Sequence, residues 1–142
     1  SFDYHSVREK ILAPLGPSGN GLFQKETFDH RKEQKKKARF FQAPFHAILL
    51  FEGVMLFNKK LVDLFDYRIL VHCSEEEILN RAKIRDLNHF GNLRILKDKY
   101  FKRFLPGQRI HLKKNRPNER ADVIFFNDNL NFPTLQFNLQ QT

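Results

Sequence analysis

His46-Ala-Ile-Leu-Leu-Phe-Glu-Gly53 is the stretch on which the fold turns. Ala47 to Phe51 is continuously apolar, short, and closed by a carboxylate and a glycine. A strand apolar on both faces belongs in the middle of a sheet covered by helices. Arg68-Ile-Leu-Val-His72 and Asp122-Val-Ile-Phe-Phe126 repeat the theme. Helical patterns lie between them. Lys59 to Phe65 is a short piece. Ser74-Glu-Glu-Glu77 is a capping box opening a helix toward His89. Leu93 to Phe104 is a further helix, stopped by Pro106-Gly107. Buried strands alternating with helices predict an α/β domain with a mainly parallel sheet. The tail, residues 130–142, adds an edge strand after the turn Asn127-Asp128-Asn129.

Upstream, Ser6-Val-Arg-Glu9 has the form of a capping box, and the helix it opens ends at Pro14 and Gly16. Phe23 to Phe28 and a return arm at Arg39 to Phe41 predict a hairpin within residues 22–42. Pro14-Leu-Gly-Pro-Ser-Gly-Asn-Gly21 invites reading as a phosphate loop. A Walker A loop requires Gly-x-x-x-x-Gly-Lys-Ser/Thr between a strand and a helix. Gly16 and Gly21 have the glycine spacing, but Leu22-Phe23 occupies the Lys-Ser/Thr positions. No stretch of the 142 residues supplies the motif. The glycines are expected to provide turns with positive φ.

Composition sets the class. The chain has 41% hydrophobic and 29% charged residues, the profile of a soluble globular domain. The longest apolar run is too short to span a bilayer, so no membrane partner is expected. The start has no secretory leader pattern, and the single Cys73 excludes an internal disulfide; both point to the cytoplasm. Net charge is +9, from 25 basic and 16 acidic residues, concentrated in residues 31–39 and 94–120. Such an excess attracts polyanions. Regularly spaced base-stacking aromatics are missing from both regions, so nucleic acid is the less favoured partner. The six histidines lack zinc-ligand spacing.

In α/β sheets, ligands bind at the carboxyl ends of strands. Those positions are Glu52-Gly53, His72-Cys73-Ser74 and Asn127-Asp128. Glu52 at a strand tip has the form of a Walker B carboxylate that organises magnesium. Arg81 and Arg85, four apart, share a helix face and can clamp phosphoryl oxygens. On spacing alone, an ion pair of Arg81 with Glu77 is the simpler account, and Asp86 orients Arg85.

The ordered set resembles the uridine kinase family of P-loop phosphotransferases. Phe2-Asp3-Tyr-His5 resembles its Phe-Asp-His-Pro element, and Phe28-Asp-His-Arg-Lys32 its Tyr-Asp and His-x-Arg, with a one-residue gap. Ile48-Leu-Leu-Phe-Glu-Gly-Val54 resembles Val-Val-Leu-Phe-Glu-Gly-Ile. Val62-Asp-Leu-Phe-Asp66, Arg81-x-x-x-Arg85-Asp86 and Arg120-Ala-Asp-Val-Ile124 match in the same order. Leu15-Gly-Pro-Ser-Gly19, Pro106-Gly-Gln-Arg109 and Arg116-Pro-Asn-Glu-Arg-Ala-Asp122 look most like the bacterial uridine-kinase-like subgroup.

The resemblance implies a three-layer P-loop kinase-like fold lacking its N-terminal strands, with an acceptor-side hairpin at residues 22–42 and lid helices at 78–104. It implies transfer of the ATP γ-phosphoryl group to a nucleoside 5′-hydroxyl, with magnesium. Asp3 would bind ribose hydroxyls and Phe2 the nucleoside; His30 and Arg31 would lie near the base. Glu52 would serve the magnesium shell, and Arg81 and Arg85 the lid. The family's Arg-Arg pair has Ala82 in its second position here. Its phosphate loop would lie upstream of Ser1. Two alternatives stand beside it: a non-catalytic RNA- or polyanion-binding module, and an inactive kinase homologue used as a binding protein. A homo-oligomer is compatible with each.

Overall fold

A computed structural model describes residues 3–24, 28–29, 34–35 and 39–138. The chain divides into two compact units, residues 1–66 and 67–142.

The first unit opens with a helix. It runs as α1 (Tyr4–Val7), a π-helical turn (Arg8–Leu12) and α2 (Ala13–Leu15). The cap is not Ser6, as expected, but Asp3: its carboxylate accepts the Ser6 N–H at 3.0 Å. Starting the helix at Tyr4 places Ser6 inside the first turn, where it supplies a backbone donor. The Ser6 bonds hold the Asp3 carboxyl below the usual range. Asp3→Asn is expected to leave the thermal midpoint nearly unchanged and Asp3→Ala to lower it, because asparagine caps as well as aspartate does. A denaturation series on the two variants checks this.

Two strands, β1 (Leu22–Gln24) and β4 (Phe40–Gln42), pair antiparallel with Phe23 opposite Phe41. Within them, β2 (Phe28–Asp29) pairs with β3 (Gln34–Lys35). The expected hairpin is present in this form. The glycine-rich turn before it folds back on the helix end, with Gly21 N–H donating to Pro14 O at 2.8 Å. Of its glycines, Gly21 takes positive φ (73°), while Gly19 is required for close approach: a Cβ there would lie 2.0 Å from the Pro14 carbonyl oxygen. Leu12, Leu61 and Val62 are buried in this unit, Val62 in a 3-10 turn (Val62–Leu64).

Residues 46–53 form no strand. Ile48 is 96% and Leu50 88% exposed. A segment apolar on both faces is held as a strand when neighbours pair with both of its edges. Among the described residues, no strand pairs with it. This corrects the expectation of a buried strand ending at Glu52.

The second unit is mixed α/β. Its sheet has the order β5 (Ile69–His72), β6 (Val123–Phe126), β7 (Thr134–Phe137). β5 and β6 run parallel; β7 is the expected tail strand, antiparallel to β6. The sheet is therefore mixed rather than mainly parallel. β6 is central, with Val123 and Ile124 buried, whereas β5 is an edge strand and largely exposed. Between β5 and β6 run α3 (Glu75–Arg85), α4 (Leu87–Phe90), α5 (Leu93–Lys99), a π-helical turn (Tyr100–Phe104), α6 (Leu105–Asn115) and α7 (Pro117–Arg120). Ala82, Leu96 and Tyr100 form a buried cluster joined by Ile78, Leu79, Leu87 and Phe90.

Pro106-Gly107 does not stop the helix, contrary to the sequence expectation. The preceding π turn shifts the ladder, and Leu105 N–H donates to Tyr100 O five residues back. Pro106 then falls in the first turn of α6, where its missing N–H costs little. The same device precedes Pro14, where Ala13 N–H reaches Arg8 O. In both helices the widened turn relieves the clash of the proline ring with the carbonyl four residues back.

Arg116 closes α6 in the left-handed region (φ 45°, ψ 56°), a conformation that favours glycine. Its guanidinium makes an exposed pair with Glu119 at 3.1 Å, worth a few tenths of a kcal/mol. Arg116→Gly is expected to raise stability by about 0.5 kcal/mol in urea denaturation, relief of strain exceeding the lost pair.

Candidate functional site

The carboxyl ends of the parallel strands β5 and β6 carry a polar network. β5 ends at His72, and Ser74 caps α3, its side chain accepting the Glu77 N–H at 3.3 Å. Only the Ser74 half of the expected capping box forms, because Asp128 takes the Ser74 N–H and Glu77 turns to Arg81; three carboxylates, Glu75 to Glu77, stand in the first turn, where the helix dipole favours them. β6 ends at Phe126, and Asp128 turns back toward β5. Its carboxylate accepts the Ser74 N–H at 2.9 Å and lies 4.0 Å from His72 Nδ1. The Ser74 hydrogen bonds hold the Asp128 carboxyl below its usual range.

Arg81, nearly two turns into α3, reaches the end of β6. Its guanidinium donates to the Asn127 carbonyl at 2.5 Å, the Asp128 carbonyl at 3.0 Å and Glu77 Oε1 at 2.9 Å. The expected Glu77–Arg81 pair is thus present, and it aims the remaining donors at the β6 terminus. Cys73 Sγ lies 4.0 Å from the Asn127 carbonyl, and burial pushes its thiol up.

Arg85 belongs to a second network. It donates to both carboxylate oxygens of Asp86, at 2.6 and 2.8 Å, and to the Tyr100 hydroxyl at 3.4 Å. Tyr100 donates to Asp86 Oδ2 at 2.6 Å. Hydrogen bonding to Arg85 lowers the Asp86 carboxyl to about 2, and burial raises the Tyr100 phenol. Arg81 and Arg85 start from one helix, yet their guanidinium groups hold separate partners. Asp86 orients Arg85, as the sequence suggests; Tyr100 carried no signal, because it meets Asp86 through the packing of α5 on α3.

A cleft of about 450 Å³ opens beside β5. Leu70, Ile78, Leu112 and Pro117 supply apolar lining, and the Glu75–Arg109 ion pair stands at its wall. That pair joins α3 to α6 across 34 residues and was not legible in the sequence.

The other sequence-derived candidates lie elsewhere. Asp3 is engaged as a helix cap. Glu52 is exposed on an irregular segment rather than at a strand tip. Phe2, His30 and Arg31 lie outside the described residues. Among the described residues, no three His, Cys, Asp or Glu side chains gather as a metal site. Glu52 fits magnesium only as a single carboxylate near an ion held mainly by phosphates and water. No helix among the described residues is long and apolar enough to cross a membrane.

On α6, Asn115 Nδ2 donates to His111 Nδ1 at 3.0 Å and to the His111 carbonyl at 3.1 Å. The carbonyl fixes the amide orientation, so the facing ring nitrogen must be an acceptor and the imidazole neutral. Burial lowers the His111 pKa. The unfolded chain therefore takes up this proton first as pH falls through about 6.5. The contribution of His111 to stability is full above that value and is lost toward the depressed folded value. Urea midpoints at pH 7.5 and 5.5 should fall more for the natural chain than for His111→Gln.

No protein-family model matches this sequence, and no curated protein matches it.

Proposed function

We propose that the chain carries the lid and strand-end part of a phosphotransferase of the uridine/cytidine kinase type. Such an enzyme moves the γ-phosphoryl group of ATP, with magnesium, to a nucleoside 5′-hydroxyl or similar small alcohol. The observation that carries this reading is the position of Arg81. It sits at the carboxyl ends of a parallel strand pair, where α/β proteins bind ligands, on the helix that also bears Arg85. A planar guanidinium suits this place because its donors match phosphoryl oxygens in pairs. On this reading, Arg81 exchanges the Asn127 and Asp128 carbonyls for phosphoryl oxygens, and Asp86 and Tyr100 keep Arg85 charged and aimed. The ordered motifs add support: Arg81-x-x-x-Arg85-Asp86 and Arg120-Ala-Asp-Val-Ile124 follow in the family's order.

The test is made on the natural protein that contains these residues, because the 142 residues include no Gly-x-x-x-x-Gly-Lys-Ser/Thr. With ATP and magnesium it should convert uridine or cytidine to the 5′-monophosphate, read by chromatography. Absence of product across a panel of nucleosides and small alcohols would overturn the proposal.

A further inference from the structure

Two side chains at the packing of α5 on α3 hold one exposed arginine. The Arg85 side chain is 75% exposed, and that of Asp86, which holds it, 20%. Adjacent residues of a helix point apart, so this is not the ordinary pairing of a helix surface. It forms because Asp86 stands at the break between α3 and α4, with φ −106° and ψ −7°. An aspartate that opens a helix ordinarily caps it with its carboxylate. The Asp86 backbone does link the two helices, donating to the Ala82 carbonyl and accepting from the His89 and Phe90 N–H groups. Its carboxylate makes no cap bond. Both oxygens instead take Arg85, and Oδ2 also accepts the Tyr100 hydroxyl at 2.6 Å.

Tyr100 is the fixed end of this chain of bonds. Its side chain is buried in the cluster with Ala82 and Leu96 and meets the Phe104 ring edge-on at 5.2 Å. Hydrogen bonding to Arg85 holds Asp86 at about 2, so the carboxylate is charged across the neutral range. An exposed ion pair adds little to stability. What the arrangement does is order a side chain that would otherwise lose its freedom on binding an anion. Nε and Nη2 of Arg85 are engaged, while among the described residues Nη1 has no partner. Arg81 differs, because its bonds to the Asn127 and Asp128 carbonyls must break before Nη2 can serve a ligand.

We infer that Tyr100 is the positioning residue of Arg85, presetting that guanidinium through Asp86 to take a phosphoryl oxygen of ATP in the ground state. The identity of the anion rests on the phosphotransferase reading; the placement of the guanidinium rests on the geometry alone. Arg85 then meets ATP first, and Arg81 follows on leaving the β6 carbonyls.

The test uses the natural protein that contains these residues and its Tyr100→Phe variant, which keeps the ring and removes the hydroxyl. Exchange of the Arg85 Nε–H, followed by NMR without ligand, should quicken about tenfold in the variant. Leu96→Val loosens the same cluster and keeps the hydroxyl; it should lower the thermal midpoint and leave that exchange unchanged. In turnover with ATP and uridine, Tyr100→Phe should raise KM for ATP about three- to tenfold, with kcat and KM for uridine within about twofold. Unchanged exchange in Tyr100→Phe, or equal quickening in Leu96→Val, would overturn the positioning. Quickened exchange with an unchanged KM for ATP would overturn the part of Arg85 in ground-state capture. A natural protein that phosphorylates no nucleoside fails the phosphotransferase reading instead. The positioning is then decided by inorganic pyrophosphate, titrated at the Arg85 Nε–H signal: its binding should weaken about three- to tenfold in Tyr100→Phe, and equal binding by both proteins would overturn the inference.

Discussion

Replacing Asp122 with alanine should destabilise the second unit by about 3 kcal/mol. Asp122 stands just before β6, and its carboxylate takes three bonds from Arg68, just before β5: the backbone N–H at 2.6 Å, Nε at 3.1 Å and a terminal guanidinium nitrogen at 3.1 Å. Both side chains are mostly buried. Truncation removes three charge-assisted or backbone hydrogen bonds at once from a mostly buried pair, and losing one partner of such a pair costs more than the net worth of the bonds it made. The loss also falls where two segments 54 residues apart first align. The Arg68 hydrogen bonds hold the Asp122 carboxyl below its usual range. Its stabilisation is therefore present above about pH 4 and lost as pH falls through the depressed value. Urea denaturation should show the full deficit at pH 7 and a smaller one near pH 3. A deficit under 1 kcal/mol at pH 7 would show that the pair does not hold the strands in register.

On the proposed phosphotransferase reading, Arg81→Ala should reduce kcat of the natural protein by about a hundredfold or more, on the order expected when a transition-state arginine is removed. The same change also removes the donors to Asn127 and Asp128, so loss of activity by itself does not separate catalysis from stability. Arg81→Lys makes the separation. Lysine keeps the charge and one reach to a carbonyl but loses the planar fork that matches phosphoryl oxygens. A catalytic Arg81 predicts a large fall in kcat for the lysine variant, with its thermal midpoint close to that of the natural protein. Activity that simply tracks the midpoint would reduce Arg81 to a structural clamp.

Much of the second unit was legible from local pattern. The Ser74 cap, the strands at 69–72 and 123–126 and the tail strand all declare themselves through capping chemistry or short apolar runs. The reach of Arg81 to the β6 terminus, the Tyr100–Asp86 bond and the Glu75–Arg109 pair were not legible. Each joins groups brought together by packing, with no sequence period to announce them. Pro106 marks the reverse case: it reads as a stop, yet the adjacent π turn absorbs it within a continuing helix, whereas the helix that holds Pro14 does end at Leu15.

Residues 46–53 show the boundary most clearly. Sequence by itself determined that Ala47 to Phe51 is apolar on both faces and that a carboxylate and a glycine follow. Whether it becomes a strand was decided by tertiary structure, because strand formation needs partner backbone on its edges and no described strand supplies it. The same physics set the character of β5: composition made it apolar, and its place at the edge of a three-stranded sheet left Ile69 and Val71 exposed.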